Sequence, residues 1–270
     1  MYSCISESKG AYTEIKYSLR LINTLFDCYK GKIDNFLEHI IKYILLKYNF
    51  AKNNNALKNN LQNLLSICFI YNPLTCLQML QKQNNIKDIF IFWFEGFNKL
   101  KRMVDLKYNL IGICSLISID QNKQDKLIID NMKQILENIY LITVKINKKI
   151  KEKEKEETKN NDDDYEDLDD DDENKNGGGN NNMDEMVKKI INGENAEEED
   201  DLSYEEEDDD DQPLTNFEKQ SPILFVKHTL NAVSQTSPDI YKIIGETLGD
   251  KINILNGMFN DEEKRRANNK

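Results

Sequence analysis

"IKYSLRLINTLFDCYKGKIDNFLEHIIKYILLKY" runs from Ile15 to Tyr48. In its first half Ile15, Leu19, Ile22, Leu25, Phe26 and Tyr29 recur at steps of three and four, and Gly31 stands where a helix would stop. Ile33, Phe36, Leu37, Ile40, Ile41, Ile44, Leu45 and Tyr48 then repeat the pattern. Two apolar stripes at helical spacing, joined by a very short turn, predict an antiparallel helix hairpin.

The same arrangement recurs downstream. After the Asn-rich stretch 53–60, Leu57, Leu61, Leu64, Leu65, Cys68 and Phe69 mark a helix that Asn72 and Pro73 end, and a shorter one follows through Leu74, Leu77 and Leu80. A third pair is read from Ile86, Ile89, Phe90, Trp93, Phe94, Phe97 and Leu100, then from Leu106, Leu110, Ile113, Cys114 and Ile117. A long helix carries Leu127, Ile128, Met132, Ile135, Leu136, Ile139, Ile142 and Ile146 into the charged run KKIKEKEKEE. Successive helical units of about 30 to 45 residues predict an all-α, HEAT-type solenoid, in which each pair buries its stripe only against its neighbours. A compact helical bundle satisfies the same periodicity, and spacing alone does not separate the two.

Charge divides the chain into three. Residues 1–158 carry 24 Lys/Arg against 16 Asp/Glu, residues 159–212 carry 4 against 25, and residues 213–270 carry 8 against 7. The middle segment, expected to be a disordered acidic insertion, offers few apolar side chains around Tyr165 and Leu168. Each returns about 1.5–3 kcal/mol on burial, against about 1–2 kcal/mol per residue to fix the backbone. Within it Met183, Met186, Val187, Ile190 and Ile191 share one face of a short helix expected at 183–192. Such a helix is marginal alone and is expected to dock on the chain's own solenoid.

The acidic tracts flanking that helix read as an anionic arm for a basic partner, and a solubilising linker is the plainer use of a charge run. The candidate contacts are Asp162, Asp163, Asp164, Asp169, Asp170, Asp171 and Asp172 in the first tract, and Glu205, Glu206, Glu207, Asp208, Asp209, Asp210 and Asp211 in the second. A direct nucleic-acid binder would show the opposite charge.

Asp172, Asn174, Asn176 and Gly177 match the first half of a calcium-binding EF-hand loop, but Met183 stands where its closing Glu ligand belongs. Five scattered cysteines (Cys4, Cys28, Cys68, Cys76, Cys114) and two histidines (His39, His228) form no metal-ligand spacing. No metal, cofactor or catalytic constellation is expected, and the cysteine usage suits a reducing compartment. No signal peptide pattern opens the chain, and no apolar run approaches the ~20 residues that span a bilayer. A soluble intracellular protein without membrane contact is the expectation. Phe90, Trp93, Phe94 and Phe97 read as a packed interface, with a pocket for Phe-Gly repeats as the sharper alternative.

From Phe217 three short helices are read through Ile223, Leu224, Val226, Leu230 and Val233, then Ile240, Ile243, Ile244 and Leu248, then Ile252, Leu255, Met258 and Phe259. Ser237 and Pro238 look like an N-cap followed by proline at the first helical position. They form a C-terminal helical cap at 213–270. Lys264, Arg265 and Arg266 form a basic cluster that suits a solvated helix end or a nuclear localisation patch.

The stretches "FIYNPLTCLQMLQ" (69–81) and "FWFEGFNKLKRMVDLKYNLIGICSLI" (92–117), the long helix, two acidic tracts flanking a small helix, and the closing "MFNDEEKRRANNK" resemble the C-terminal part of importin-beta-like nuclear transport receptors, the karyopherins. Within them the pattern is similar to the importin-seven and importin-eight branch. The resemblance runs from about Leu57 to the end. It implies a cargo-binding or scaffold module of a nuclear import receptor, built of HEAT repeats and shuttling between cytoplasm and nucleus at the nuclear envelope. It also implies basic cargo of histone or ribosomal-protein type, possible contact with pore Phe-Gly repeats, and release by the GTPase Ran through an N-terminal receptor region with no counterpart here. An acidic chaperone that shields basic proteins without transporting them is the alternative.

Overall fold

The computed structural model describes residues 21–51, 55–83, 86–119, 126–162, 219–236 and 238–268. Every regular element among them is a helix. In chain order these are α1 (21–28), α2 (Asp34–Ala51), α3 (Asn55–Tyr71), α4 (Pro73–Lys82), α5 (Ile86–Glu95), a 3-10 turn (Phe97–Lys99), α6 (Met103–Ile117), α7 (Lys126–Asp130), α8 (Met132–Asp162), α9 (Pro222–Thr236), α10 (Pro238–Leu248) and α11 (Lys251–Asn268).

Gly31 follows α1 with φ +75°, the left-handed conformation that glycine adopts without a Cβ clash, and Lys32 N–H turns back to the Tyr29 carbonyl. The Asn72 side chain accepts from Thr75 N–H at 3.1 Å with Pro73 in the first turn, so the break read at Asn72–Pro73 is an N-cap that starts α4.

Two breaks differ from the periodic reading. The helix expected from Ile86 to Leu100 stops at Glu95, because Gln62 of α3 donates its amide to the Phe92 and Trp93 carbonyls at 2.7 and 3.2 Å. Those carbonyls lack intrahelical donors at a helix end, and a side chain from another helix supplies the partner. The helix expected from Leu127 is divided at Asn131, whose side-chain amide bonds the Leu127 carbonyl at 2.7 Å.

The body that these helices form, residues 21–154 and 219–268 of the described chain, is an all-α solenoid. Its helices alternate between two rows. In the first row Tyr48 of α2 meets Phe92 of α5 edge-on at 6.2 Å, and Lys145 of α8 donates to the Phe97 and Asn98 carbonyls in the 3-10 turn that follows α5. Tyr140, Lys151 and Glu154 of α8 meet Lys251, Asp261 and Arg265 of α11 in ascending order, so α8 and α11 run parallel. In the second row Asn63 and Ser66 of α3 meet Asp105 and Asn109 of α6, again in ascending order, and Thr229 of α9 lies beside the Cys114 thiol of α6.

Parallel neighbours within a row and antiparallel partners between rows are the geometry of stacked hairpins. α2 and α3 show the hairpin: Tyr71 at the end of α3 bonds Asp34 at the start of α2 at 2.9 Å. Among the described residues, each return from second row to first passes through a short helix, α4, α7 or α10.

A single apolar core runs through both rows. Trp93 is fully buried, stacked on Phe69 with ring centroids 5.0 Å apart and planes 3° apart, and flanked by Phe90, Phe94 and Phe97. The aromatic cluster is therefore a packed interface.

Of residues 155–212, which form a separate unit, the structure describes 155–162, the end of α8. α8 runs four residues past the boundary read at 158. The expected helix at 183–192 and the acidic tracts beyond Asp162 lie outside the described residues.

Candidate functional site

Of the acidic candidates, Asp162 is the last residue of α8. Asp163, Asp164, Asp169 to Asp172, Glu205 to Glu207 and Asp208 to Asp211 lie outside the described residues, as do Met183, Met186, Val187 and Ile190. The described geometry shows what lies on either side of them. The segment replaces the turn that would join α8 of the first row to α9 of the second, where the equivalent connection between α2 and α3 spans only residues 52–54.

The helices that precede and follow it, α8 at Glu154 and the start of α9, are both bonded to the last turns of α11. Glu262, 6% exposed, accepts from Ser221 Oγ at 2.6 Å and from Arg266 Nε at 3.2 Å on one carboxylate oxygen, and from Arg265 on the other. Arg265 also pairs with Glu154 of α8, and Arg266 Nη2 donates to the Lys219 carbonyl at 3.2 Å. Two flanking ion pairs, Lys151–Asp261 at 3.3 Å and Lys227–Glu263 at 2.6 Å, run alongside. Ser221 in turn receives Leu224 N–H at 3.4 Å ahead of Pro222, the N-cap geometry for α9.

This cluster of Glu154, Lys219, Ser221, Glu262, Arg265 and Arg266 was not assembled by sequence reasoning. The one signal was the basic tail Lys264–Arg266: Lys264 and Arg266 are exposed, as a solvated helix end requires, Arg265 is half-buried, and both arginines pair with Glu262. Ser237, read as an N-cap, lies outside the described residues.

A second polar cluster sits inside the body. Asn109 of α6 accepts at Oδ1 from Trp93 Nε1 (2.9 Å) and Ser66 Oγ (2.8 Å), and donates to Asn63 Oδ1 (2.8 Å) and the Asp105 carbonyl (2.8 Å). Asn63 donates to Asp105 Oδ1 at 2.6 Å, and Arg102 forks onto both Asp105 oxygens at 2.7 and 2.9 Å. Asp105 is 2% exposed, and a carboxylate so buried is tolerated because each oxygen has a charged or amide donor. The relay holds α3, α5 and α6 in register.

His39 and His228 are exposed. Cys28, Cys68, Cys76 and Cys114 are free thiols, and burial raises the last three well above the ordinary thiol value. Among the described residues no group of His, Cys, Asp and Glu is placed to hold a metal ion, and no helix is long and apolar enough to cross a membrane. An open depression lies between α7, the start of α8 and α10, lined by Ile129, Met132 and Ile243 and bordered by Lys133 and Glu246.

The chain is similar to a protein of Dictyostelium discoideum described as "Probable importin-7 homolog", 26% identical over 146 residues, which are 51% of this chain and 14% of that protein. The chain thus matches a small part of the relative's length. No protein-family model matches it. No solved structure matches it either.

Proposed function

We propose that the chain is part of an importin-beta-like nuclear import receptor, and that its acidic segment captures basic cargo of histone or ribosomal-protein type beside a HEAT-type helical stack. The observation that carries this reading is the similarity to the importin-7 homolog, joined to the stacked hairpins. In support, 25 Asp/Glu against 4 Lys/Arg stand in residues 159–212, between α8 and α9, each of which bonds to α11. On this reading the receptor shuttles between cytoplasm and nucleus, meets pore Phe-Gly repeats, and answers to Ran through a region outside this chain. It acts as a carrier and not as an enzyme. The apolar face of Met183, Met186, Val187 and Ile190 is a short docking motif within the segment.

Charge capture is short-ranged, since the Debye length is about 8 Å at physiological salt. The test is fluorescence anisotropy with labelled core histones as the probe, on the full chain and on a chain lacking Asp162 to Asp211. The deletion is expected to weaken binding several-fold and to flatten its salt dependence; unchanged affinity refutes the role of the segment. The acidic reading by itself also suits a chaperone that shields histones without carrying them. An isolated 159–212 peptide that binds as tightly as the full chain supports the chaperone, and a peptide that binds several-fold more weakly supports the carrier.

A further inference from the structure

We propose that the last turns of α11 act as a charge-held clasp that couples α8 at Glu154 to the start of α9, so that these two contacts loosen together and not independently. The inference goes beyond the cargo reading and does not depend on it.

Three observations carry it. The first is what holds these turns down. Leu255, Met258 and Phe259 anchor the first half of α11 in the core, but beyond Phe259 the only buried side chain among the described residues is the carboxylate of Glu262. Apolar burial therefore ends three residues before the clasp, and the remaining turns rest on ion pairs and hydrogen bonds.

The second is how the bonds are shared. Arg265 spans Glu262 and Glu154, and so ties α11 to α8. Glu262 spans Arg265 and Ser221, and so ties the same guanidinium to the residue that caps α9. Arg266 adds the Lys219 carbonyl. The path Glu154, Arg265, Glu262, Ser221, Leu224 N–H is continuous, and each member is bonded on both sides to the next.

The third is the cost of partial opening. Exposed pairs such as Lys151–Asp261 contribute little and are screened by salt. Glu262 differs, because a buried carboxylate deprived of one donor is poorly compensated by the rest. Losing Arg265 weakens the hold of Glu262 on its site, and Ser221 then loses its acceptor. An opening that begins at α8 thus propagates to the cap of α9, as expected of a cooperative local unfolding unit.

Hydrogen exchange of the full chain, read by mass spectrometry, tests the coupling. Glu154→Gln weakens the Arg265 pair at α8 and leaves Ser221 and Leu224 intact. Coupling predicts at least about threefold faster exchange at the start of α9 (223–229) as well as at 260–268, with α3 and α6 unchanged. Faster exchange confined to 260–268, or none, overturns the clasp. Glu262→Gln is expected to speed both regions further. As a check that needs no variant, raising salt from about 0.05 to about 0.5 M should speed 223–229 and 260–268 in parallel. A salt response in one without the other also overturns the proposal.

Discussion

The indole N–H of Trp93 ends 2.9 Å from Oδ1 of Asn109, so the largest buried side chain of α5 is locked by a hydrogen bond to the central polar residue of α6. The same amide oxygen serves Ser66, and the same amide nitrogen serves Asn63 and the Asp105 carbonyl. One asparagine thereby fixes three helices.

Asn109→Leu keeps the size and removes every one of these bonds, leaving the Asn63 amide oxygen buried without its donor and the Trp93 indole with only Ser66 Oγ at 3.1 Å. An unsatisfied buried group costs about 1–3 kcal/mol, so a loss of about 1–3 kcal/mol is expected in urea unfolding. A loss under about 0.5 kcal/mol would show that the relay holds nothing.

Two glycines on helices make a matched pair. A Cβ at Gly112 would lie 2.8 Å from Ser66 Cβ and 2.9 Å from its Cα, while one at Gly257 meets nothing within 4 Å. Gly112→Ala forces α3 and α6 apart and should destabilise by about 1–3 kcal/mol. Gly257→Ala relieves a flexible residue in α11 and should stabilise by about 0.5–1 kcal/mol. Differential scanning calorimetry should find Tm shifts of opposite sign.

The Tyr71 hydroxyl donates to Asp34 and accepts from Ile33 N–H at 3.2 Å. Burial, with the Asp34 bond second, raises its pKa above the ordinary phenol value. The folded state then holds this proton more tightly than the unfolded chain, so the contribution is intact below the unfolded value of about 10 and lost as pH rises through the raised folded one. The stability gap between the wild type and Tyr71→Phe should be constant from about pH 7 to 9 and shrink above about 10. A gap that does not change with pH contradicts the assignment.

Buried thiols with raised pKa react slowly, since the thiolate is the nucleophile. Iodoacetamide at neutral pH should label exposed Cys28 in the folded chain and reach Cys68, Cys76 and Cys114 only after urea is added. Rapid labelling of Cys114 without urea would mean that the α6–α9 contact opens on its own.

Periodicity made the helices legible, because a stripe at three- and four-residue spacing records which face of a helix is buried, and that is a property of neighbours along one chain. Gly31 and Asn72–Pro73 were readable for the same reason, since each acts on its own backbone. The separation of charge into the middle segment was likewise a matter of counting.

What the tertiary structure alone decided are relations between residues far apart. Gln62 ends α5 from thirty residues away, and nothing about a glutamine inside a helical stripe announces that its amide will cap another helix. Asn63, Asp105 and Asn109 read locally as polar interruptions, and become a satisfied relay only when parallel stacking brings α3 and α6 together. Arg265 finds Glu154 across 111 residues, on a helix that the acidic segment separates from it in sequence. Burial pattern is written in each helix, whereas register between helices is set by directional bonds whose partners the chain order does not reveal.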